Sequence, residues 1–310
     1  MPDCVPFAAI VESKRFSEVI AMHRQVAGTI AELWRYPVKS MLGEQRTQLA
    51  ITSRGSLGDR AKALRDLNTG RIASAKKFPR LLEFRARYEA EPTYDTKGRI
   101  EITTPAGRTV CADDPEASTI ISDELGHPVR LESEPGSQEI TEIIRETVFG
   151  DVPVNKFKPD WTPETMPDHF KLMKESFFEI GAIFVVASGS VEHLRKLQGE
   201  ASKIDRRRFR PNIYIESEPE WSGFVEDSWI GGSLEIGGTV RIQEFQPTIW
   251  CVTSTLAQED LPRDLGILRT IANHHKGCFG AYATVSKPGM VHVEDTVILL
   301  NEETSAAASA

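Results

Sequence analysis

The sequence is poor in cysteine. Of 310 residues four are cysteine, Cys4, Cys111, Cys251 and Cys278. No two form a C-x-x-C pair, and their wide spacing suits neither a zinc site nor a disulfide framework. This usage fits a reducing compartment. No stretch approaches the ~18 consecutive apolar residues of a membrane span. The N-terminus lacks the basic start and apolar core of a signal peptide, so a cytoplasmic location is expected. There is no excess of positive charge. The formal net charge is −8, which argues against a general nucleic-acid or anionic-membrane binder. G-x-G-x-x-G, Walker A and four-cysteine iron–sulfur patterns are all missing, so neither a nucleotide nor a built-in electron relay has sequence support.

What is present is an ordinary soluble balance, 40% hydrophobic and 26% charged, long enough for about two domains. Residues 1–27 read as an extension, with Phe16, Val19, Ile20 and His23 at helical spacing over 11–26. Residues 28–150 read as a first domain, with strands at 29–34, 45–51, 81–88, 99–103, 109–111 and 129–131. Its helix over 115–125 is capped by Asp113 or Asp114 and stopped by Gly126. Residues 133–175 read as the connection between domains, with a helix over 138–149. The second domain, 151–302, has strands at 177–187, 212–215, on both sides of Gly237-Gly238, around Cys251, and at 279–285 and 291–300. Its helices fall at 191–198, capped by Ser190, and at 261–275. Residues 303–310 form a frayed tail. The fold class is mainly β (α+β), two β-barrel-like domains with peripheral helices.

Several stretches carry chemistry only in combination. Cys251 alone reads as a core thiol. Lys39 alone reads as a solvated lysine, and Gly58-Asp59 as a turn, although glycines there would let the backbone approach a ligand beside Arg60. The basic cluster Lys203, Arg206, Arg207, Arg208 and Arg210 would ordinarily be a solvated face. Phe209 and Pro211 interleave with it and a strand follows at once, which predicts at least one buried or ligand-facing arginine. Adjacent His274 and His275 diverge on a helix and suit a C-terminal charge role better than a shared metal.

Taken together, Tyr36-Pro37-Val38-Lys39-Ser40, Gly58-Asp59-Arg60, Arg208-Phe209-Arg210-Pro211-Asn212-Ile213, Asp227-Ser228-Trp229, Cys251 and Phe279-Gly280-Ala281-Tyr282 resemble, in order and spacing, the MOSC family preceded by its N-terminal β-barrel domain. The resemblance spans roughly 28–300. It implies a molybdenum cofactor (molybdopterin) site in which Cys251 gives a thiolate to the metal. Lys39, Ser40, Arg60, Arg210 and Asn212 match positions that hold the pterin and its phosphate, with Tyr282 a further candidate. The chemistry agrees. A thiolate is a soft ligand, Arg offers planar paired donors to phosphate, and Asn offers both donor and acceptor to a pterin edge.

The implied function is an oxidoreductase that takes oxygen from N-hydroxylated substrates. The alternatives are a sulfur-carrier or cofactor-handling protein, and a non-redox binding module. The implied partner is a separate flavin or iron–sulfur electron-donor protein, which if acidic would seek a basic patch such as Lys203 to Arg210. The chain departs from the family's reductases in three places. Trp250 replaces an arginine before the cysteine, Leu256-Ala257-Gln258-Glu259 replaces an acidic turn, and Glu179 and Gly181 replace an Asp/Ser pair.

Overall fold

The computed structural model describes residues 22–96, 98–133, 177, 181–199 and 202–302. The tail, the helix expected over 138–149, nearly all of the 133–175 connection, Glu179 and residues 11–21 lie outside these.

In chain order the strands are β1 (Met22–Arg35), β2 (Glu44–Arg46), β3 (Gln48–Thr52), β4 (Gly55–Ser56), β5 (Ala63–Asp66), β6 (Arg85–Tyr88), β7 (Ile100–Thr103), β8 (Thr109–Cys111), β9 (Val129–Glu132), β10 (Ile183–Ala187), β11 (Ile213–Ser217), β12 (Ser233–Ile236), β13 (Val240–Ile249), β14 (Cys278–Lys287), β15 (Gly289–His292) and β16 (Thr296–Glu302). The helices are α1 (Ala117–Leu125), α2 (Ser188–Gln198) and α3 (Leu265–His275). The chain is mainly β with peripheral helices, as its alternating runs predict.

Seven strands close a barrel in the order β11-β10-β14-β13-β12-β16-β1, and the ring is completed by β1 pairing back to β11. β1 thus comes from the first half of the sequence but is a stave of the second half's barrel. Met22–Val26, expected to end a helix, pairs with β16 instead. Side-chain alternation explains why β10 is apolar throughout. Ile183, Val185 and Ala187 face the barrel interior, while Phe184 and Val186 face outward into a second, aromatic cluster with Phe209, Trp250 and Phe279. Both faces of the strand are dry, so it reads as a continuous apolar run. Gly28 lets β1 and β11 approach closely. It has φ +151°, and a Cβ there would lie 2.0 Å from the Glu216 carbonyl oxygen.

β5 to β9 and α1 build a second body on a separate core of Val38, Met41, Leu64, Phe84, Ile102 and Ile121, whereas Leu49, Ile51 and Val291 of β3 and β15 join the barrel core. The second body contains the sheet β6-β7-β8, the pair β5-β9 and α1. The sheet β15-β3-β4 ties the two halves together.

Several boundaries differ from the sequence reading for identifiable reasons. The stretch 81–88 begins as a 3-10 turn, Pro79–Glu83, because Pro79 stands in its first turn and suits a helical start. Ser190 lies inside α2 rather than at its cap. Its hydroxyl accepts from the Val225 N–H and donates to the buried Glu226. Cys251 lies just past the end of β13 and opens the 3-10 turn Val252–Thr255.

Candidate functional site

Arg60 and Arg210 come together over one ring at the seam where the two bodies meet, and Lys39 reaches the same loop through Phe177. Three of the candidate residues share an uncommon backbone. Ser40, Arg60 and Arg210 have φ of 67°, 49° and 55°. Left-handed conformations at non-glycine residues cost about 1–3 kcal/mol each and concentrate at binding sites. Among the described residues only seven non-glycine positions have positive φ, and three are candidates chosen from motifs alone.

Tyr36 lies at the centre of the cationic group. It is 4% exposed. The Arg210 guanidinium lies over its ring at 4.2 Å from the centroid and that of Arg60 at 4.5 Å. The Tyr36 carbonyl accepts the Arg60 N–H at 2.7 Å, and the Tyr36 hydroxyl donates to the Pro211 carbonyl at 3.3 Å. Asp59 accepts the Tyr36 N–H at 2.7 Å and pairs with the Arg60 guanidinium. Gly55, at φ +103°, seats this loop on the barrel, since a Cβ there would meet the Ala182 carbonyl oxygen at 1.8 Å.

Arg210 is 8% exposed, and both of its terminal nitrogens are buried without a hydrogen-bond partner. Burial pulls its pKa down to about 10, and the like charge of Arg60 acts in the same direction. A buried cation with open donors is costly unless a group completes it. Lys39 donates to the Phe177 carbonyl at 3.1 Å, and the Phe177 N–H returns to the Arg60 carbonyl at 2.9 Å. Ser40 Oγ accepts the Ala75 N–H at 3.0 Å. Ala75 packs in a small cluster with Leu82, Leu256 and Val252, the residue after Cys251.

Cys251 is half-buried, and its Sγ contacts Thr253 Oγ1 at 3.3 Å. Its backbone is fixed on both sides. Trp250 donates from its backbone to Gly277 at 2.9 Å and from its indole to Phe279 at 2.6 Å. Ser254 Oγ donates to the Cys251 carbonyl at 3.2 Å. Trp250 packs edge-on against Phe209 at 5.0 Å, so the residues preceding Arg210 and Cys251 touch. Tyr282 leans on Phe184 in the same cluster at 5.0 Å.

Asn212 is placed differently. It is fully buried. Its Oδ1 accepts from the Phe184 N–H and its Nδ2 donates to the Trp34 carbonyl, both at 3.2 Å. The side chain fastens the start of β11 between β1 and β10, a scaffolding part that the motif did not announce. Among the other cysteines, Cys111 is buried and Cys278 half-buried at the start of β14.

The basic cluster is no docking patch. Lys203 pairs with Asp260, Arg206 with Glu32, and Arg207 with Asp205, Glu259 and Asp260. Arg208 is fully buried and donates to the carbonyls of Lys203, Leu256 and Pro262. Neutralisation by residues distant in sequence overturns the expectation of a free basic surface there. Glu259, from the departing segment after Cys251, also bonds Arg85 of β6 and so bridges the two bodies.

The sequence reading named Tyr36 only as part of a motif and missed its part in the site, as it did that of Asp59. An aromatic residue before proline, just past a strand, was the available signal. Among the described residues no three His, Cys, Asp or Glu side chains gather as a metal-ligand group. The donor set offered here is one half-buried thiol, Cys251, whose neighbour Trp250 packs on the residue before Arg210. That suits a metal whose other ligands belong to a phosphate-bearing organic group.

Comparison with known proteins identifies the family. The MOSC N-terminal β-barrel domain family matches residues 27–139, and the MOSC domain family matches residues 174–298. The chain belongs to the MOSC family and carries its N-terminal partner domain. It is 23% identical to mitochondrial amidoxime-reducing component 1 of Homo sapiens over 308 residues, covering 90% of this chain and 85% of that protein. The Mus musculus protein of the same name is likewise 23% identical, with 90% and 84% covered. Among solved structures, the YuaD protein of Bacillus subtilis is 12% identical, with 91% of this chain and 100% of that one covered and a TM-score of 0.46. Among the described residues no helix is long and apolar enough to cross a membrane.

Proposed function

We propose that the seam holds a molybdenum cofactor and that the protein is an oxidoreductase acting on N-hydroxylated small molecules. The observation that carries this reading is Arg210. It is held in a left-handed conformation, nine-tenths buried, with both terminal nitrogens open. Lys39, Ser40, Arg60 and Arg210 would hold the cofactor's phosphate, and Cys251 would give the metal its protein sulfur. When bound, the cofactor supplies two-electron oxygen-atom chemistry. The protein's part is to fix the anion by directed N–H groups, to hold the Cys251 sulfur between two clamped backbone segments, and to shield the pocket floor with Phe184, Phe209 and Trp250. Tyr282 borders that floor.

The chain shows no dinucleotide motif, so the electrons come from a separate flavin or iron–sulfur donor protein in this reading. Lys203, Arg206 and Arg207 are ion-paired within the chain, so they are not its docking face in this reading. Purified protein should contain molybdenum and reduce an N-hydroxylated amidine with a chemical reductant but not with a nicotinamide alone. Cys251→Ala should abolish that turnover, while Cys111→Ala and Cys278→Ala should retain it. Equal turnover in Cys251→Ala and the parent would remove the thiol from the site. Molybdenum content without any turnover would favour a cofactor-handling or sulfur-carrier protein.

A further inference from the structure

We infer that Tyr36 is the positioning residue of this site: its ring face offsets the charge of two buried guanidiniums while leaving the donors of Arg210 open to an anion. The inference rests on reading the seam as an anion site.

The argument begins with what a buried arginine normally does. Its charge is tolerated when carboxylates or carbonyls take up its N–H groups. Such partners consume the donors. An aromatic face stabilises the cation from above the guanidinium plane, and the N–H groups point outward in that plane. The two solutions are electrostatically alike but differ in what remains available. Arg206, Arg207 and Arg208 take the first solution and are engaged by Glu32, by Asp205, Glu259 and Asp260, and by three carbonyls. Arg210 takes the second, at 4.2 Å over the Tyr36 ring with its terminal nitrogens unpartnered.

Tyr36 also sets where both arginines stand. Its carbonyl holds the Arg60 N–H, its N–H holds Asp59, and its hydroxyl holds the Pro211 carbonyl immediately after Arg210. One residue therefore touches the backbone of both loops and the charge of both side chains. Those loops belong to different halves of the sequence. Without the ring, two like charges would face each other across the seam and would be driven apart.

The test uses the full-length protein free of cofactor, with inorganic phosphate as the probe. Phosphate should bind and raise the melting temperature of the parent. Tyr36→Phe keeps the ring face but loses the hydroxyl bond to the Pro211 carbonyl, so it is the reference for the next variant. Replacement of residue 36 by pentafluorophenylalanine keeps the shape but removes the electron-rich face. It should melt below Tyr36→Phe without phosphate and bind phosphate about tenfold more weakly than Tyr36→Phe. Tyr36→Leu should show at least that loss. Should Tyr36→Leu fail to fold, the fluorinated variant still decides the matter. Equal phosphate affinity in the phenylalanine and pentafluorophenylalanine proteins would overturn the role of the ring and leave the anion site standing. No phosphate binding by the parent would overturn both. A fluorine-dependent loss in a protein that never acquires molybdenum would support the role of Tyr36 and sink the molybdenum reading.

Discussion

Among the described residues three buried arginines lie over tyrosine rings, and two of them, Arg35 and Arg210, are completed in opposite ways. Arg35 is fully buried, 4.7 Å over Tyr88. It donates to Glu44 at 2.7 Å and to Glu91 at 2.6 and 3.2 Å. Burial alone would lower its pKa, but the bonds to Glu91 and Glu44 more than reverse that, and it is raised. Arg210, over Tyr36, has no carboxylate partner and is lowered to about 10 by burial. Same residue type, same kind of ring, opposite electrostatic outcome: the donors of Arg35 are closed and the terminal donors of Arg210 are open. Burial and a nearby aromatic do not distinguish them. The fate of the N–H donors does.

This contrast can be broken or sharpened by substitution. The largest effect is expected at the open arginine. Arg210→Met removes a charge-assisted contact worth about 2–5 kcal/mol, so the purified protein should lose its molybdenum. Its urea midpoint should barely move, because no ion pair is lost. Full molybdenum at limiting cofactor supply would put Arg210 outside the site.

Arg35→Met is the reciprocal case. Removing one partner of a buried ion pair costs about 3–5 kcal/mol, and because the Glu91 side chain is 36% exposed the expectation falls to about 2–3 kcal/mol. Urea unfolding should read that loss, with metal content per folded molecule unchanged. A stable variant that had lost its metal would erase the distinction between the two arginines.

The smallest effect concerns a buried anion, the mirror image of Arg210. Asp66 is 1% exposed and is bonded by Lys77 at 2.8 Å and His127 at 2.7 Å. Burial alone would raise its pKa, but these two partners outweigh burial and hold it well below the usual carboxylate range. With the folded pKa depressed, its stabilisation is fully present above the unfolded value of about 3.9. It is lost as pH falls through the folded value. Urea unfolding followed downward from about pH 5 should show a slope that Asp66→Asn flattens. An unchanged slope in that variant would assign the acid sensitivity elsewhere.

Part of the candidate site's local backbone was legible because short motifs carry backbone as well as side-chain information. Ser40, Arg60 and Arg210 were picked from local segments, and each has the left-handed backbone that a loop reaching toward a ligand often adopts. Which arginine stays open was not legible. The partners that close Arg206 and Arg207 include Glu32, Glu259 and Asp260, and such long-range contacts leave no trace in the spacing of the cluster. The same limit applied to the fold. The apolar run that marks β10 and the alternation that marks β13 are local, whereas the membership of β1 in the far barrel depends on partners about 180 to 280 positions away, such as Gly28 with Ser217 and Arg24 with Leu300. Asn212 was read as a ligand for the same reason, since its backbone partners Trp34 and Phe184 meet only in the folded chain.

That placement of β1 has a consequence for the order in which the protein can become whole. β1 emerges early in synthesis, and its two barrel neighbours, β11 and β16, emerge late. Until then it is a stave paired only at its end, where Leu33–Arg35 meets β2, and the rest of its edges are open to wrong partners or to another nascent chain. The barrel therefore cannot close cotranslationally in halves, and the second body, whose β5 to β9 lie close together in sequence, is free to fold first. Tyr36 and Arg60 would then wait, already positioned next to each other, for Arg210 to arrive. Maturation of the anion pocket becomes the last event of folding, and a pulse of newly made chains should acquire protease resistance in the 36–132 region before it can retain a cofactor.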